Sequence, residues 1–372
     1  MAGIYIHIPF CKKRCAYCDF FSSEQANEMS QYIDAVCRET VTGKNYLNKQ
    51  PIDSVYFGGG TPSQLNAPHF EKIFRALDIF NVSNLPTVEI TLEANPDDIT
   101  DSYIDSIHHL PFNRISLGVQ SFNDSELETL GRRHDAKTAT KAIECLQGFR
   151  YRNISIDLMY GLPGQTEKSW RDTVRQALSL GVQHISAYHL TYEKGTPLSR
   201  KLKQGKICAL DEDLSLRLFD VLIEMMTAGG FEHYEISNFA MPGYHSRHNC
   251  SYWNGSLYLG LGAAAHSYNG HSRQWNVASI KNYINSGFKP DGFEKIDTKT
   301  AYNDFVMTRL RTAKGIDSAE LYKLFGKKEL DYCLHQAQKH IKNALLHEAD
   351  NCLRLTRRGI FISDMIISDL MM

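Results

Sequence analysis

Short apolar runs alternate with amphipathic stretches through the first half of the chain. Residues 4–8 and 154–159 are rich in β-branched side chains and short enough for strands, whereas 27–47 and 136–149 carry apolar residues at helical spacing. Further strands are expected at 54–57, 88–92, 114–119 and 184–190, and further helices at 69–80 and 170–178. The pattern therefore predicts about six successive β-α units.

Alternating β-α units predict a parallel sheet, and right-handed crossovers curl such a sheet toward a barrel. Six units would leave the barrel open on one side, so we expect an α/β fold with a partial (β/α)6 TIM-like barrel. In barrel enzymes the chemistry lies at the C-terminal ends of the strands. Special features fall at those ends here: a three-cysteine loop, a glycine run at 58–62, Glu93, Gln120, Asp157 and the segment 188–191.

The pattern changes after residue 210. Asp211 can cap a helix that carries Leu214, Leu218 and Met225 at apolar spacing. The aromatic-rich stretch 231–275 is expected to be loop-rich. Beyond a Gly- and Pro-containing connection at 287–292, helices are predicted at 301–312, 318–325, 329–346 and 360–370, with a short strand at 351–356.

Three parts are therefore expected. Residues 1–230 would form the barrel, 231–290 an aromatic-rich segment, and 291–372 an α-rich, winged-helix-like module. A winged helix can bind DNA, but acids and bases are mixed over 339–358, which favours a packing or lid role for this module.

Composition narrows the class of protein. Of the 372 residues, 42% are hydrophobic and 22% are charged, as is usual for a globular protein. The formal net charge is −1, so the overall charge of the protein does not attract nucleic acid or an anionic membrane. No apolar run reaches the roughly 18 residues of a membrane-spanning helix, and the start of the chain has the pattern of a strand rather than of a signal peptide. Nine cysteines, an odd number, favour a reducing cytoplasm over a disulfide framework.

Three of those cysteines are closely spaced. Cys11, Cys15 and Cys18 form a C-x3-C-x2-C run, one thiolate short of the four ligands that a [4Fe-4S] cluster takes. Three protein thiolates leave one iron open for a small molecule. This ligation pattern is similar to that of radical S-adenosylmethionine (SAM) proteins, in which SAM chelates the fourth iron. The alternative is a three-cysteine zinc site completed by a histidine, although zinc motifs usually contain paired C-x2-C units.

Other polar positions suit a ligand with an ammonium, a carboxylate and a ribose. The run 58–62, Gly-Gly-Gly-Thr-Pro, can bring backbone close to a ligand and cradle the amino group of SAM, although a generic tight turn is the alternative. Arg132 can pair with a carboxylate, Glu93 or Asp157 can accept from ribose hydroxyls or the amine, and Tyr17 can pack on adenine. Each of these polar residues, taken singly, could equally be a solvated or core ion-pairing group.

A second candidate motif lies at 246–253, Ser-Arg-His-Asn-Cys-Ser-Tyr-Trp. A haem needs an axial donor such as histidine or a thiolate, and its macrocycle packs on aromatic faces. His248 is the first candidate ligand, and the weaker ones are Cys250, His245 and His266. From the residues alone, a satisfied loop histidine beside core aromatics is the favoured interpretation.

The motifs together carry a family resemblance. The cysteine run, the segments 5–11, 58–62, 93–96 and 118–122, and the stretch 157–163 resemble the oxygen-independent coproporphyrinogen III oxidase family of radical SAM proteins, densely up to about residue 270. The resemblance implies that Cys11, Cys15 and Cys18 hold the cluster. It also implies a set of SAM contacts, namely Tyr5, Tyr17, Gly59, Gly60, Thr61, Glu93, Gln120, Arg132, Asp157 and Thr191.

Two departures point to one branch of this family. The oxidases carry a further cysteine where this chain has Phe20, and they have a long extension before the cysteines where this chain has ten residues. Both departures resemble the haem-chaperone branch, as does the H-N-x-x-Y-W string formed by His248, Asn249, Tyr252 and Trp253. That branch implies haem, SAM and a [4Fe-4S] cluster as cofactors.

Three hypotheses follow. The first is a haem chaperone that hands haem to acceptor apo-haemoproteins and receives electrons for its cluster from a donor. The second is an enzyme that decarboxylates coproporphyrinogen III through a SAM-derived radical. The third is a cluster-based regulatory or interaction protein with a winged-helix tail. The first is favoured, with a cytoplasmic location and neither a nucleic-acid partner nor an integral membrane segment.

Overall fold

Six parallel strands, each paired with the next in chain order, form the centre of the protein. The computed structural model describes residues 1–82 and 87–372. The strands are β1 (Ala2–Ile8), β2 (Ile52–Gly59), β3 (Glu89–Ala94), β4 (Arg114–Gln120), β5 (Ile154–Tyr160) and β6 (His184–His189). The predicted partial (β/α)6 barrel is confirmed, although the predicted end of the third strand was too early because Glu93 lies within β3.

Helices connect these strands and cover the outer face of the barrel. They are α1 (Met29–Thr42), α2 (Ala67–Leu77), α3 (Asp101–Ile107), α4 (Asp124–Leu130), α5 (Ala136–Gly148), α6 (Glu167–Ser179), α7 (Pro197–Lys203) and α8 (Glu212–Ala228). The first helix is shorter than the predicted 27–47, and the second begins and ends earlier than 69–80. Asn66 caps α2 by accepting from the backbone N–H of His69, which places that start before the predicted one.

Strand alternation separates an apolar outer face from a polar inner face. Ile4, Ile6 and Ile8 on β1 are fully buried, and the side chains between them point into the barrel. On β2, Phe57 packs edge-on against Phe70 of α2 at a ring separation of 5.7 Å. The inner face is therefore left free for polar side chains.

The stretch 231–275, expected to be loop-rich, also contains short strands that extend both edges of the sheet. β7 (Glu232–Glu235) and β8 (Asn238–Ala240) add antiparallel strands beside β6. After α9 (Arg247–Trp253), β9 (Leu257–Leu261) pairs in parallel with β1, followed by β10 (His266–Tyr268) and β11 (Ser272–Trp275). α10 (Ile280–Asn285) and β12 (Gly292–Lys295) complete this edge. These strands are only three to five residues long, so hydrophobic alternation could not reveal them.

The C-terminal module has its own core and is rich in helices, as predicted. Its elements are α11 (Thr298–Leu310), β13 (Ile316–Asp317), α12 (Ser318–Phe325), α13 (Lys327–Lys342), β14 (Leu346–Ala349), β15 (Cys352–Leu355), α14 (Arg357–Phe361) and α15 (Ser363–Leu370). The three strands pair in the order β13-β15-β14. Two expectations fail here: 346–349 is a strand, and the last helix is divided at Ile362, whose φ of −113° departs from helical geometry.

A buried carboxylate ties α1 to the segment that follows β9. Glu39 accepts hydrogen bonds from the hydroxyl of Tyr283 at 2.5 Å, the backbone N–H of Gly262 at 2.8 Å and the amide of Asn276 at 2.7 Å. Burial raises the pKa of Glu39 to about 6. This edge of the sheet therefore depends on a satisfied polar network rather than on apolar packing alone.

No helix in the described parts of the chain is long and apolar enough to cross a bilayer.

Candidate functional site

A cavity of about 1120 Å³ opens at the C-terminal ends of the barrel strands and extends into the barrel. All thirteen residues predicted for the cluster and for SAM line it, namely Tyr5, Cys11, Cys15, Tyr17, Cys18, Gly59, Gly60, Thr61, Glu93, Gln120, Arg132, Asp157 and Thr191. They come from loops and strands up to 186 positions apart in the chain, from Tyr5 to Thr191. The parallel arrangement of the strands is what brings them together.

The cysteine loop follows β1 and is held at both ends. The backbone N–H of Cys11 donates to the carbonyl of Ser23 at 2.9 Å, and that of Ala16 donates to the carbonyl of Leu130 at 2.9 Å. Two side chains reach the thiols: Thr61 Oγ1 lies 3.3 Å from Cys11 Sγ, and Arg132 Nη1 lies 3.2 Å from Cys15 Sγ. Hydrogen bonds and positive charge at the sulfurs favour the thiolate form that binds metal.

The donor set fits an iron–sulfur cluster better than a single ion. Burial raises the pKa of the Cys11 and Cys18 thiols, so a bound metal or cluster would have to hold them as thiolates. A mononuclear zinc site needs its ligands about 2.0–2.3 Å from one point. Among residues 1–82 and 87–372, no three His, Cys, Asp or Glu side chains are grouped closely enough for that. A cubane instead presents a separate iron to each thiolate.

Arg132 is buried beside the cysteine loop. Its guanidinium donates to Asn95 Oδ1 at 2.7 Å and to the carbonyl of Gly118, besides its contact with Cys15. Its Nε is buried and has no hydrogen-bond partner among the described residues. This donor of the guanidinium is therefore left without an acceptor in the protein, and its pairing with a ligand carboxylate stays a prediction.

The glycine run follows β2 and lies against Glu93. Gly59 has a φ of +110°, which disfavours a side chain, and a Cβ at Gly60 would lie 2.7 Å from the carbonyl carbon of Pro9. Glu93 accepts from the hydroxyl of Tyr56 at 2.7 Å and from the N–H of Gly59 at 3.1 Å. Burial, reinforced by the charge of Asp157, raises the pKa of Glu93 to about 7 despite these hydrogen bonds.

Other predicted SAM contacts line the same cavity. Gln120 ends β4 with a φ of +70°, a left-handed conformation that non-glycine residues seldom adopt. Asp157 on β5 lines the cavity, and burial raises its pKa. Tyr17 packs against an apolar cluster beneath the loop, and Thr191 is exposed at the rim. Such a strained backbone at Gln120 is typical of ligand-binding positions.

The helix α9 packs against the opposite, N-terminal ends of β1, β2 and β3. Glu89, the first residue of β3, accepts from the backbone N–H groups of Arg247 and His248, both at 3.2 Å. His248 is 2% exposed and lies beneath the ring of Tyr56, with the ring centroids 4.9 Å apart. The H-N-x-x-Y-W motif therefore forms the floor of the cavity and not its mouth.

Both ring nitrogens of His248 have partners. Nδ1 lies 2.9 Å from Ser54 Oγ and Nε2 lies 3.0 Å from the hydroxyl of Tyr252. Burial, with the nearby charge of Arg114, lowers the pKa of His248 to about 3, so the ring is neutral at physiological pH. Asn249 and Tyr252 also line the cavity; the lining does not include Trp253.

The weaker candidate ligands are outside the cavity lining. His245 bonds to Glu232 at 2.7 Å and stacks on Tyr234, and His266 stacks on Trp275 with ring centroids 5.5 Å apart. Cys250 is half-buried in α9, and burial raises its pKa to about 11.

Sequence reasoning missed several lining residues. Arg114 begins β4, is 2% exposed and lines the cavity, a position that an arginine at the start of an apolar strand could have signalled. His189 also lines it from the end of β6, within the segment 188–191 that was expected at a strand end, although no role was predicted for this histidine. The segment 360–363 of the C-terminal module also lines the cavity. No local sequence pattern in that segment predicts this contact.

Comparison with known proteins defines first the class of this protein. Residues 5–177 match the Radical SAM superfamily, and residues 296–362 match the HemN C-terminal domain. The barrel is thus that of a radical SAM protein, a class that implies a [4Fe-4S] cluster and SAM.

Comparison with curated relatives then defines the family. The chain is 32% identical over 365 residues to the heme chaperone HemW of Bacillus subtilis (strain 168), with 96% of each chain covered. It is 30% identical over 375 residues to the heme chaperone HemW of Escherichia coli (strain K12), with 98% of this chain and 97% of that protein covered. The chain belongs to the HemW family of radical SAM proteins.

A solved structure confirms the architecture. Coproporphyrinogen III oxidase (HemN) from Escherichia coli superposes with a TM-score of 0.85, covering 99% of this chain and 89% of that one. At 21% identity, the likeness concerns the fold.

Proposed function

We propose that this protein is a haem chaperone that binds haem and transfers it to acceptor apo-haemoproteins, while carrying a SAM-ligated [4Fe-4S] cluster. The observation that supports this most directly is the full-length similarity to relatives named as heme chaperones, 96% of each chain in the first of them. Phe20, where the oxidases have a cysteine, supports the same choice.

Cys11, Cys15 and Cys18 are the proposed cluster ligands. The cluster, when reduced, can deliver one electron to SAM. The chain's own contribution is to hold the three thiols on one loop and to place Thr61 and Arg132 against two of the sulfurs. The electron would come from a partner protein or reductant, and a cytoplasmic location suits nine cysteines none of which is paired in a disulfide.

The proposed SAM contacts divide by chemistry. Arg132, with its free Nε, takes the carboxylate; Glu93, bonded to the backbone of Gly59, takes the ammonium. Tyr17 is proposed to pack on the adenine, and Asp157 to accept from the ribose. The remaining predicted contacts, Tyr5, Gly60, Thr61, Gln120 and Thr191, line the same space.

The H-N-x-x-Y-W motif is proposed to take part in haem binding as part of the cavity wall. His248, Asn249 and Tyr252 reach the cavity, and Trp253 anchors the end of α9 because its carbonyl accepts from Arg309. His248 could bind iron only if one of its ring nitrogens were released, Nδ1 by Ser54 or Nε2 by Tyr252.

The test is haem binding followed by transfer. Anaerobically reconstituted protein should shift the Soret band of added haem at one haem per chain and then pass the haem to an apo-haemoprotein. Absence of a Soret shift would refute the proposal. A Cys15→Ala variant that transfers haem at the wild-type rate would remove the cluster from the transfer step, with Cys208→Ala, an exposed cysteine elsewhere, as the control.

A second candidate function is the decarboxylation of coproporphyrinogen III. The observation in its favour is the fold of the oxidase across nearly the whole chain. Anaerobic turnover to protoporphyrinogen IX with SAM and a reductant would support it. Failure to turn over with an intact cluster would reject it.

A further inference from the structure

Resting on the proposed haem binding, we infer that Arg114, at the floor of the cavity, binds a propionate carboxylate of haem. A guanidinium removed from water needs an anionic partner, because a buried charge without one is costly. Three properties of Arg114 favour this role: it has no partner in the protein, it lines the cavity, and it lies deeper than Arg132, the proposed contact of the SAM carboxylate.

Arg114 is buried and unpaired. It is 2% exposed, and its Nε has no hydrogen-bond partner among the described residues. The ion pairs that arginines form in residues 1–82 and 87–372 do not include Arg114. Its charge acts on the carboxyl groups of Glu93 and Asp157, but neither group is hydrogen-bonded to it. The guanidinium is therefore left with donors for an anion that the protein does not supply.

The neighbouring carboxyl groups do not fully neutralise this charge. Burial raises the pKa of Glu93 to about 7 and also raises the pKa of Asp157, although the charge of Arg114 opposes both shifts. Part of the negative charge near Arg114 is therefore lost at neutral pH. The floor of the cavity thus favours an anionic group of a ligand.

Arg114 begins β4 and lies below the proposed SAM site. Ser116, two residues further along the same face of β4, pairs in register with Glu93, whereas Arg114 pairs with Thr91, one step deeper in the barrel. The hydroxyl-bearing side chains of Ser116 and Tyr56 line the cavity together with Arg114. A carboxylate that reaches this depth would meet a guanidinium and hydroxyl groups rather than an apolar wall.

The carboxylate of SAM is proposed to bind at a different level of the barrel. Arg132 contacts Cys15 and donates to the carbonyl of Gly118. Gly118 follows Arg114 by four residues, which is about 13 Å along the strand. Burial, and after it the charge of Arg114, lowers the pKa of His248, which places this charge near the floor. Arg114 is therefore matched by a second anionic group and not by the carboxylate held at Arg132.

Haem is the ligand of the proposed function that brings further carboxylates. Its propionates are narrow, flexible arms, so one of them can enter the polar floor while the wider macrocycle stays nearer the mouth. An arginine and a carboxylate can form two parallel hydrogen bonds, which fixes the orientation of a ligand as well as its affinity. Arg114 would thus determine how haem is oriented in the cavity.

Removing the charge from either partner tests this inference in the full-length protein. Haemin and haemin dimethyl ester, whose propionates are uncharged, are titrated into wild type, Arg114→Met and Arg114→Lys. The matched control is Arg217→Met, which changes an exposed arginine on α8. We expect Arg114→Met to bind haemin about 10–100-fold more weakly than wild type and to bind the ester with unchanged affinity. Arg114→Lys keeps the charge but not the planar fork, so its preference for haemin over the ester should be intermediate.

The outcomes separate this inference from the proposed function. If wild type binds no haemin, the proposed function fails and the inference fails with it. If wild type binds haemin and Arg114→Met either keeps its affinity or loses affinity for haemin and the ester equally, the inference is overturned and the haem chaperone proposal stands. A loss of SAM affinity alone, measured on reconstituted protein, would assign the anion to SAM and also overturn it. Thermal unfolding checks the fold of each variant. Should Arg114→Met not fold, an undiminished preference for haemin in Arg114→Lys would overturn the inference.

Discussion

The pH dependence of SAM binding is the sharpest test of the site, because one carboxylate should control it. Glu93 lies against the glycine run, and burial raises its pKa to about 7. Only the ionised form attracts the ammonium of SAM. Below pH 7 binding must therefore be accompanied by loss of a proton from Glu93, and the affinity should fall about tenfold, or about 1.4 kcal/mol, for each pH unit.

Replacing Glu93 by Gln keeps the shape of the side chain and removes its charge. A hydrogen bond to a charged group contributes about 1.5–3 kcal/mol, so SAM affinity at pH 7.5 should fall by about one to two powers of ten. The variant should also lose the dependence on pH below 7. The assay is anaerobic calorimetry of SAM binding to reconstituted protein from pH 6 to 8, with cluster absorbance monitored throughout.

Asp157 provides the control, because it is the neighbouring carboxyl whose pKa burial also raises. If Asp157→Asn abolishes the pH dependence and Glu93→Gln retains it, the assignment of the ammonium to Glu93 is wrong. An equal slope in wild type and both variants would show that neither carboxylate pairs with the ammonium.

Three further changes test other parts of the molecule. Arg132→Met removes the contact with Cys15 and should weaken SAM binding about 10–100-fold and lower the iron content of the protein. The control, Lys13→Met at the exposed rim, should change neither SAM affinity nor iron content. Equal losses in the two variants would contradict the assignment of Arg132. Gly60→Ala places a Cβ 2.7 Å from the carbonyl carbon of Pro9 and should destabilise the protein by about 1–3 kcal/mol in urea unfolding. The control is Gly148→Ala, whose Cβ would meet no neighbouring atom within 4 Å, so this change should be neutral or stabilising by up to about 1 kcal/mol. The pKa of Glu39 is about 6 in the folded protein against an ordinary value of 4.5, so protonation of Glu39 favours the folded state. The free energy of unfolding of wild type relative to Glu39→Gln should therefore be greatest below pH 4.5 and should decline by about 2 kcal/mol as the pH rises through 6. A difference that does not vary with pH would refute this.

The barrel was predictable because each of its units is local. A β-branched run such as 154–159 and the helix that follows it are recognised within about 25 residues, and parallel pairing then brings the polar strand ends to one face. That reasoning placed Glu93 and Asp157 in the same cavity, although 64 positions separate them in the chain. The cysteine spacing could be recognised without the fold, because Cys11, Cys15 and Cys18 lie on one short loop.

The edges of the sheet and the floor of the cavity were not predictable in this way. β9 pairs with β1 although about 250 residues separate them, and its five residues include Gly260, which gives no strand signal. The position of α9 depends on Glu89 receiving two backbone N–H groups from residues 158 and 159 positions away. Such long-range capping leaves no trace in local periodicity.

The placement of α9 changes what the H-N-x-x-Y-W motif can mean here. Its histidine packs on Tyr56, and the hydroxyl of Tyr56 donates to Glu93, so the floor and the proposed SAM site share a contiguous set of contacts. A substitution at His248 would therefore disturb Glu93 as well as any bound haem. Loss of haem binding in a His248 variant alone cannot identify the iron ligand, because the same loss would follow from the disturbed contacts of Tyr56 and Glu93.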